Sequence, residues 1–379
     1  MLSSPLRASD VLKMPDAVLD QRTLGRATLE RQLLLSRNEM SALGAVEHLV
    51  GMQAQSPYAP YVGLWSRLEG FDPDDLARAI LDGHAARAPL MRATIHLVTA
   101  RDCLALYPLM QPVLARAFSG QAFARALGGL DLVELVSAGR TLLSKEPHTR
   151  PELSEALAER WPDHDPASLA LAVTYLLPVV QVPPRGVWGS TGEARWATTD
   201  SWLGGPDAPP DLSRDDVVGR YLGAFGPATV ADIRTWSGFT GVRDIVERLR
   251  PRLRTFADEQ GRELFDLPDA PRPDPESPAP PRFLPEFDNL LLSHADRSRV
   301  IAEEDRRRVF GKGAVLVDGY VRGAWKVSRT SESASLVIEP FAPLADGDID
   351  ALKTEGEALL ELVAAGAGSR EVQMLPLAA

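Results

Sequence analysis

Cysteine is all but missing: Cys103 is the only one in 379 residues. A lone thiol closes no intramolecular disulfide and supplies no thiolate zinc site, and it fits a reducing cytosol. Long apolar runs are missing too. The best candidate, residues 169–182, is interrupted by Thr174, Tyr175, Pro178 and Gln181, so no membrane span is expected. Residues 1–20 lack the apolar centre of a signal peptide, and a cytoplasmic protein is expected. Lysine is scarce: Lys13, Lys145, Lys312, Lys326 and Lys353 are five of 41 basic residues, and the other 36 are arginines. There is no glycine-rich nucleotide loop of the Walker or dinucleotide type and no His/acid metal spacing. Neither a cofactor nor a metal is expected.

What is present is ordinary for a soluble globular protein, with 45% hydrophobic and 25% charged residues. The length implies roughly two to four modules. Acids outnumber bases by 52 to 41, a net charge of -11, which taken alone argues against a nucleic-acid partner. Local counts undo that. Residues 234–254 hold six arginines against Asp244 and Glu247, and residues 281–330 hold ten basic against seven acidic residues, whereas the tail from 344 onward carries a net -5. A phosphate-binding face is compatible with a negative sum. The arginine excess is mainly what GC-rich codon usage gives, alongside the Ala, Pro and Gly load. Guanidinium nevertheless suits bidentate phosphate contacts.

One syllable recurs three times: two or three short helices, then a pair of strands. In the first, Leu29, Gln32, Leu33 and Leu35, then Leu43, Val46, Leu49 and Val50, recur at helical spacing. Asp72 caps another helix, and residues 90–98 read as a strand with Met91, Ala93, Ile95 and Leu97 on one face. In the second, Thr149-Arg150-Pro151-Glu152 is a capping sequence. It opens a helix over 152–160, followed by a helix over 167–177 and strands over 179–187 and 194–198 around Gly189-Ser190-Thr191-Gly192. In the third, helices over 229–236 and 241–253 precede a hairpin over 253–256 and 263–267. Two helices, a short turn and a hairpin are the elements of a winged helix-turn-helix. The expected fold is α+β and mostly helical: winged helices over 1–125, 126–212 and 213–267, then a linker over 268–285 with eight prolines. Residues 286–379 are expected to form a small antiparallel sheet, with strands over 314–321, 323–328 and 334–339, closed by a helix over 348–364.

The most unusual local sequence is Val50-Gly51-Met52-Gln53-Ala54-Gln55-Ser56-Pro57-Tyr58. The helical stripe Leu43, Val46, Val50 continues to Gln53, and a buried glutamine must find hydrogen-bond partners. In a continuous helix Gln53 and Gln55 point about 200° apart. Converging on one site requires the chain to leave helical geometry near Ala54, to which Ser56 before Pro57 is biased. The bland alternative is that both amides cap the helix.

Four blocks resemble the AlkZ/YcaQ-type winged-helix DNA glycosylases. They are residues 49–67 (LVGMQAQSPYAPYVGLWSR), 92–102 (RATIHLVTARD), 284–297 (LPEFDNLLLSHADR) and 317–325 (VDGYVRGAW). The resemblance spans nearly the whole chain and is weakest through the linker and the tail. It implies three tandem winged helices in a C-shaped arrangement on double-stranded DNA, and hydrolysis of the N-glycosidic bond of bulky N7-alkylguanines, interstrand crosslinks included. The AlkZ branch has glutamine at both motif positions, as here, and is associated with self-resistance to DNA-alkylating antibiotics. By that resemblance Gln53 and Gln55 are the catalytic pair.

The chemistry is compatible with the residues. N7 alkylation makes guanine cationic and a good leaving group, so what remains is to place a water below C1′ beside an oxocarbenium-like sugar. Two amides supply an oxygen and an NH₂ for that. No lysine lies near the motif in sequence, which disfavours Schiff-base chemistry. Arg92 and His96 are candidate active-site support, although a hydrogen-bonded structural histidine is an equally simple reading. Candidate DNA contacts are Arg185, Arg195, Arg243, Arg248, Arg250, Arg252, Arg297 and Arg299. The arginines from 248 to 254 also read as a solvated helix end, and His294 with Asp296, Arg297 and Arg299 as a surface turn network. Trp188 and Trp196 read as packing residues rather than base wedges. The expected partner is duplex DNA bearing alkylated guanine, bound by a monomer. A noncatalytic DNA-binding regulator or lesion-sequestering factor, and a protein–protein scaffold, stay open as alternatives.

Overall fold

The computed structural model describes residues 16–204, 211–330 and 332–377. Of the five lysines, Lys13 lies outside them. The chain is α+β and mostly helical, and its strands form three sheets among the described residues. Short polar caps set the helices: Asp72 opens Pro73–Leu81, and the capping box of Thr149 and Glu152 opens Arg150–Ala158. Further capping boxes at Ser213 and Thr229 open Arg214–Phe225 and Val230–Ser237. In the third unit Gly238 turns the chain in the left-handed region, and Val242–Leu249 buries Val242, Ile245, Val246 and Leu249 on one face. The hairpin Arg254–Asp258 with Glu263–Asp266 follows, in the order expected from sequence.

The largest sheet runs Met52–Gln53, Ile95–Thr99, Ala85–Pro89, Val179–Val182, Arg195–Thr198, His148–Thr149. It joins the hairpins of the first two units, which meet at Arg87↔Gln181. The core is shared as well. Val50, Leu90, Met91 and Val98 pack in one cluster with Met110, Phe225, Trp236, Ile245 and Phe265. The first strand, Val18–Leu19, pairs in parallel with the third unit's hairpin.

Several expectations are corrected. Residues 90–98 are not one strand. Arg92 and Ala93 both take φ +56°, so a single turn, Met91–Ala93, stands between Ala85–Pro89 and Ile95–Thr99. In the second hairpin the strand stops at Val182, because Pro183 and Pro184 offer no N–H to the ladder. The carboxy-terminal hairpin turns at Asp318 and Gly319, and Gly323 sits inside Tyr320–Arg329. The linker does not stay apart: Pro271 and Ser277 carbonyls accept from Arg31 and Arg26, and Arg282–Leu284 joins the third sheet with Phe283 and Leu284 fully buried. That sheet is mixed, not antiparallel, since Ser369–Met374 pairs in parallel with Ser333–Pro340. This last strand is half-exposed and lacks the apolar alternation that marks a strand in sequence.

Two buried ion pairs fasten distant segments. Arg31 grips Asp266 at 2.6 and 2.9 Å, and Arg67 grips Asp288 at 2.9 and 2.8 Å, all four side chains almost without solvent access. Removing one partner leaves the other charged and buried, a cost of about 3–5 kcal/mol. Asp288→Ala is therefore expected to destabilise the protein by about that amount in urea unfolding. The double variant Arg67→Met, Asp288→Leu is expected to recover much of the loss; equal losses in single and double variants would contradict the pairing.

Candidate active site

The helix Ala42–His48 ends well before the glutamines, contrary to the continuous stripe expected from sequence. Val50 (φ +54°) and Gly51 (φ +90°) reverse the chain, and Met52–Gln53 leaves as a strand paired with Ile95–Thr99, Gln53 opposite His96. Glycine is needed at 51: a Cβ there would stand 2.6 Å from Val98 Cγ1, in a backbone conformation that L side chains resist. Asn289 fixes the turn from the other side. Its Nδ2 donates to the Gly51 carbonyl at 2.7 Å and its Oδ1 accepts from the Gln53 N–H at 3.2 Å. Asn289 follows Asp288, so the Arg67 pair and this clamp are consecutive residues of one segment. Both backbone polar groups of Ile95 are engaged: its carbonyl accepts from the Ala54 N–H at 2.8 Å, and its N–H donates to Gln55 Oε1 at 3.3 Å.

Arg92 reaches over the pair. Its Nη2 donates to Gln53 Oε1 at 2.7 Å and to His96 Nε2 at 3.2 Å, while His96 Nδ1 donates to the Thr94 carbonyl at 2.9 Å. With both ring nitrogens engaged and no solvent access, His96 is a structural group, not a free base. Burial first, and the Arg92 charge second, hold it near pKa 3, so it is neutral. Both amide orientations are thus set by donors, Arg92 on Gln53 and Ile95 on Gln55. Each carbonyl oxygen keeps a second lone pair, and each NH₂ is left to other partners. Gln53 is buried and Gln55 is exposed.

A second arginine, missed by the sequence reading, lies below the motif. Arg87, in Ala85–Pro89, donates Nη2 to the Ala54 carbonyl at 2.7 Å. Its Nε and Nη1, like Arg92 Nη1, are buried without a hydrogen-bond partner among the described residues. Burial first pushes both arginines down to about 10, with Arg185 the second cause for Arg87 and Arg297 for Arg92. Neither bonds a carboxylate among the described residues, and no carboxylate there hydrogen-bonds to Gln53, Gln55 or His96. The signal for Arg87 was weak: an arginine inside an otherwise small, apolar stretch, Ala85–Pro89, entirely buried.

A family model described as DNA glycosylase AlkZ-like matches residues 46–362, most of the chain. This protein belongs to the AlkZ-like DNA glycosylase family. Among curated relatives it is 25% identical over 358 residues to an interstrand DNA cross-link repair glycosylase of Streptomyces sahachiroi, covering 83% of this chain and 88% of that one. The solved structure of the Streptomyces sahachiroi DNA glycosylase AlkZ superposes with a TM-score of 0.76 at 23% identity, over 94% of this chain and all of the other. That likeness carries the fold.

In this glycosylase the eight arginines expected at DNA divide into three groups: paired, buried and without an ion pair. Arg195 pairs with Glu152, the capping-box glutamate, and Arg248 with Asp215. Arg250 pairs with both Glu247 and Glu263. Arg299 is a correction: it is not a surface cation but is buried, its Nη1 donating to Thr28 Oγ1 and the Pro227 carbonyl. His294 is likewise buried, with Nε2 against the Phe225 carbonyl, and is no surface network. Counting along residues 234–254 overlooked acids that the fold brings in from elsewhere. Arg185, Arg243, Arg252 and Arg297 make no ion pair within 4 Å among the described residues, although Glu247, Asp216 and Glu303 act on the last three from further off. Trp196 is buried, and Trp188 packs on Tyr58 and Tyr61 at 5.4 and 4.9 Å. Two cavities, of about 600 and 570 Å³, are not lined by the glutamines: one is lined by Arg243, Arg262 and Arg306, the other by Tyr58, Val62 and Trp188.

The neutral His96 has a thermodynamic signature. Its folded pKa lies below the unfolded value near 6.5, so the stability it contributes is complete above pH 6.5 and is lost as pH falls toward the folded value. Urea unfolding at stepped pH is expected to show that loss between about pH 6.5 and 4, and His96→Gln is expected to make the slope shallower. An unchanged slope would mean that His96 titrates normally.

Proposed function

We propose that this glycosylase hydrolyses the N-glycosidic bond of bulky N7-alkylguanines in duplex DNA, interstrand crosslinks among them, with Gln53 and Gln55 orienting the attacking water. The observation that carries the reading is a site without a general base. The two amides are held by donors, the adjacent histidine is neutral with both nitrogens engaged, and no carboxylate joins them among the described residues. Such a site has little power against an ordinary nucleoside. It suffices where the leaving base already carries positive charge, since bond cleavage then neutralises the base and only the sugar needs a nucleophile. Selectivity follows: undamaged guanine, a poor leaving group, is left alone.

Two further observations support the reading. Gln55 is exposed beside the buried Gln53, so the pair opens to the surface on one side. A surface site suits a base whose adduct is too large, or too tethered, for an enclosing pocket. The Streptomyces sahachiroi relative is named for interstrand cross-link repair. Arg185, Arg243, Arg252 and Arg297 are the phosphate contacts in this reading, and the protein acts on DNA as a monomer.

The test is incubation with duplex carrying a single N7-alkylguanine, followed by heat or alkali to cut abasic sites. Gln53→Ala and Gln55→Ala are each expected to lower the single-turnover rate by about 10²-fold, the loss typical of one positioned hydrogen-bonding group. Variants that release base like wild type would remove the glutamines from the mechanism. With His96 near 3 and Arg92 near 10, the same rate is expected to stay flat from about pH 5 to 9. A bell-shaped profile within that window would require a base or acid that this assignment lacks.

A further inference from the structure

Arg87 sits at the centre of Ala85–Pro89, among alanines and a proline, with almost no solvent access. A strand that needed only packing would be better served there by an apolar side chain, since a buried guanidinium without an acid lowers stability. Its Nη2 donates to the Ala54 carbonyl at 2.7 Å, while its Nε and Nη1 have no partner among the described residues. Its cross-strand neighbour Gln181 likewise keeps a buried Oε1 without a partner there. The guanidinium is thus turned away from an acceptor within the sheet and towards the peptide between the two glutamines. The loop behind it confines it to that course. Gly186 (φ +92°) lies so close that a Cβ there would stand 2.6 Å from Arg87 Cδ and 3.2 Å from its Nη1, and Tyr61 Oη donates to the Gly186 carbonyl at 2.8 Å.

The Ala54 carbonyl is where the ladder gives out. Met52–Gln53 pairs with Ile95–Thr99, the Gln53 N–H is held by Asn289, and the Ala54 N–H by the Ile95 carbonyl. Gln55 lies past the strand and is exposed, with its side chain on the Ile95 N–H at 3.3 Å. Because a peptide unit is planar, the group that fixes the Ala54 carbonyl also fixes the Gln55 nitrogen and the point at which that residue begins. Arg87 is the side chain that does so.

We propose that Arg87 is a positioning residue for Gln55, holding the peptide from which Gln55 springs so that its amide meets the substrate in one place. It acts through Gln55 and adds nothing to DNA affinity. This rests on the function proposed above, in that it takes Gln55 to be one of the pair that acts.

The test is a mutant cycle on the full chain, read as single-turnover base release from a duplex with one N7-alkylguanine. Arg87→Met keeps the length of the stem and loses the donor. It is expected to lower the rate about tenfold, as a small misplacement of an acting group does, while the Kd for the same duplex moves by less than about threefold. Arg87→Lys, which still donates, is expected to regain most of the rate. On the Gln55→Ala background Arg87→Met is expected to cost less than about twofold, because the group it places is already gone. An arginine that only supported the fold would slow both backgrounds by the same factor, and that result overturns the proposal. So does a loss confined to Kd, or an Arg87→Met rate equal to that of wild type. Should Arg87→Met not fold, Arg87→Gln, a shorter neutral donor, enters the same cycle with the same dependence on Gln55 expected. A readout without activity separates this inference from the function it rests on: amide hydrogen exchange in residues 50–58 is expected to quicken about tenfold in Arg87→Met. Quickened exchange, with Gln55→Ala releasing base like wild type, would leave the hold of Arg87 standing and sink the proposed function. Unchanged exchange, with release lost in Gln55→Ala, would do the reverse.

Discussion

The contact on which the site depends is a guanidinium and a carboxylate sealed from water, Arg67 on Asp288. Neither residue touches the reacting groups. Arg67 follows Ala59–Trp65, the helix that comes directly after the glutamine motif, and Asp288 lies more than two hundred residues later, in a segment that would otherwise drift as loop. The next residue, Asn289, bonds Gly51 and Gln53 and so holds the strained turn at Val50 and Gly51. Strained dihedrals gather around the site: Val50, Arg92, Ala93 and Phe287 all take positive φ. Such conformations persist only where the surroundings over-determine them. The buried pair is part of that over-determination.

The electrostatics of the site are lopsided by design of the fold. Arg87 holds the Ala54 carbonyl and Arg92 holds Gln53 Oε1, and no acid hydrogen-bonds to either among the described residues. Guanidinium does not escape burial by losing its proton at neutral pH, as lysine does. Arginine in these positions therefore gives fixed donors that stay charged and cannot serve as nucleophiles. The Gln53 amide that Arg92 orients is neutral at every working pH. In the function proposed above, catalysis rests on placement alone, which confines it to bonds that are already weak.

Much of the fold was legible because it rests on local chemistry. Capping boxes at Thr149 and Thr229, the amphipathic face of Val242–Leu249 and the third hairpin all declare themselves within a few residues. The glutamine pair stood out through its four-block context, as did Arg92 and His96, four residues apart in the second block, and the structure brings Gln53, Arg92 and His96 together. Their geometry was not legible. Nothing local says that Val50 reverses the chain, that Asn289 reaches back to Gly51, or that Arg87 faces the motif from below. Those depend on pairings between segments far apart in sequence. The charge reading failed for the same reason: Asp215 and Glu263 neutralise Arg248 and Arg250 from outside the stretch in which the charges were counted.

The six-stranded sheet carries a consequence for how the chain is made. Ala85–Pro89 finds one neighbour within ten residues, in Ile95–Thr99, but the other, Val179–Val182, is synthesised some ninety residues later. Until then one side of the first hairpin presents unpaired backbone N–H and C=O groups, a template for another chain. The short, alanine-rich strand with Arg87 at its centre and Pro89 at its end is poorly suited to such pairing. A fragment cut between the two hairpins would keep that edge unpaired.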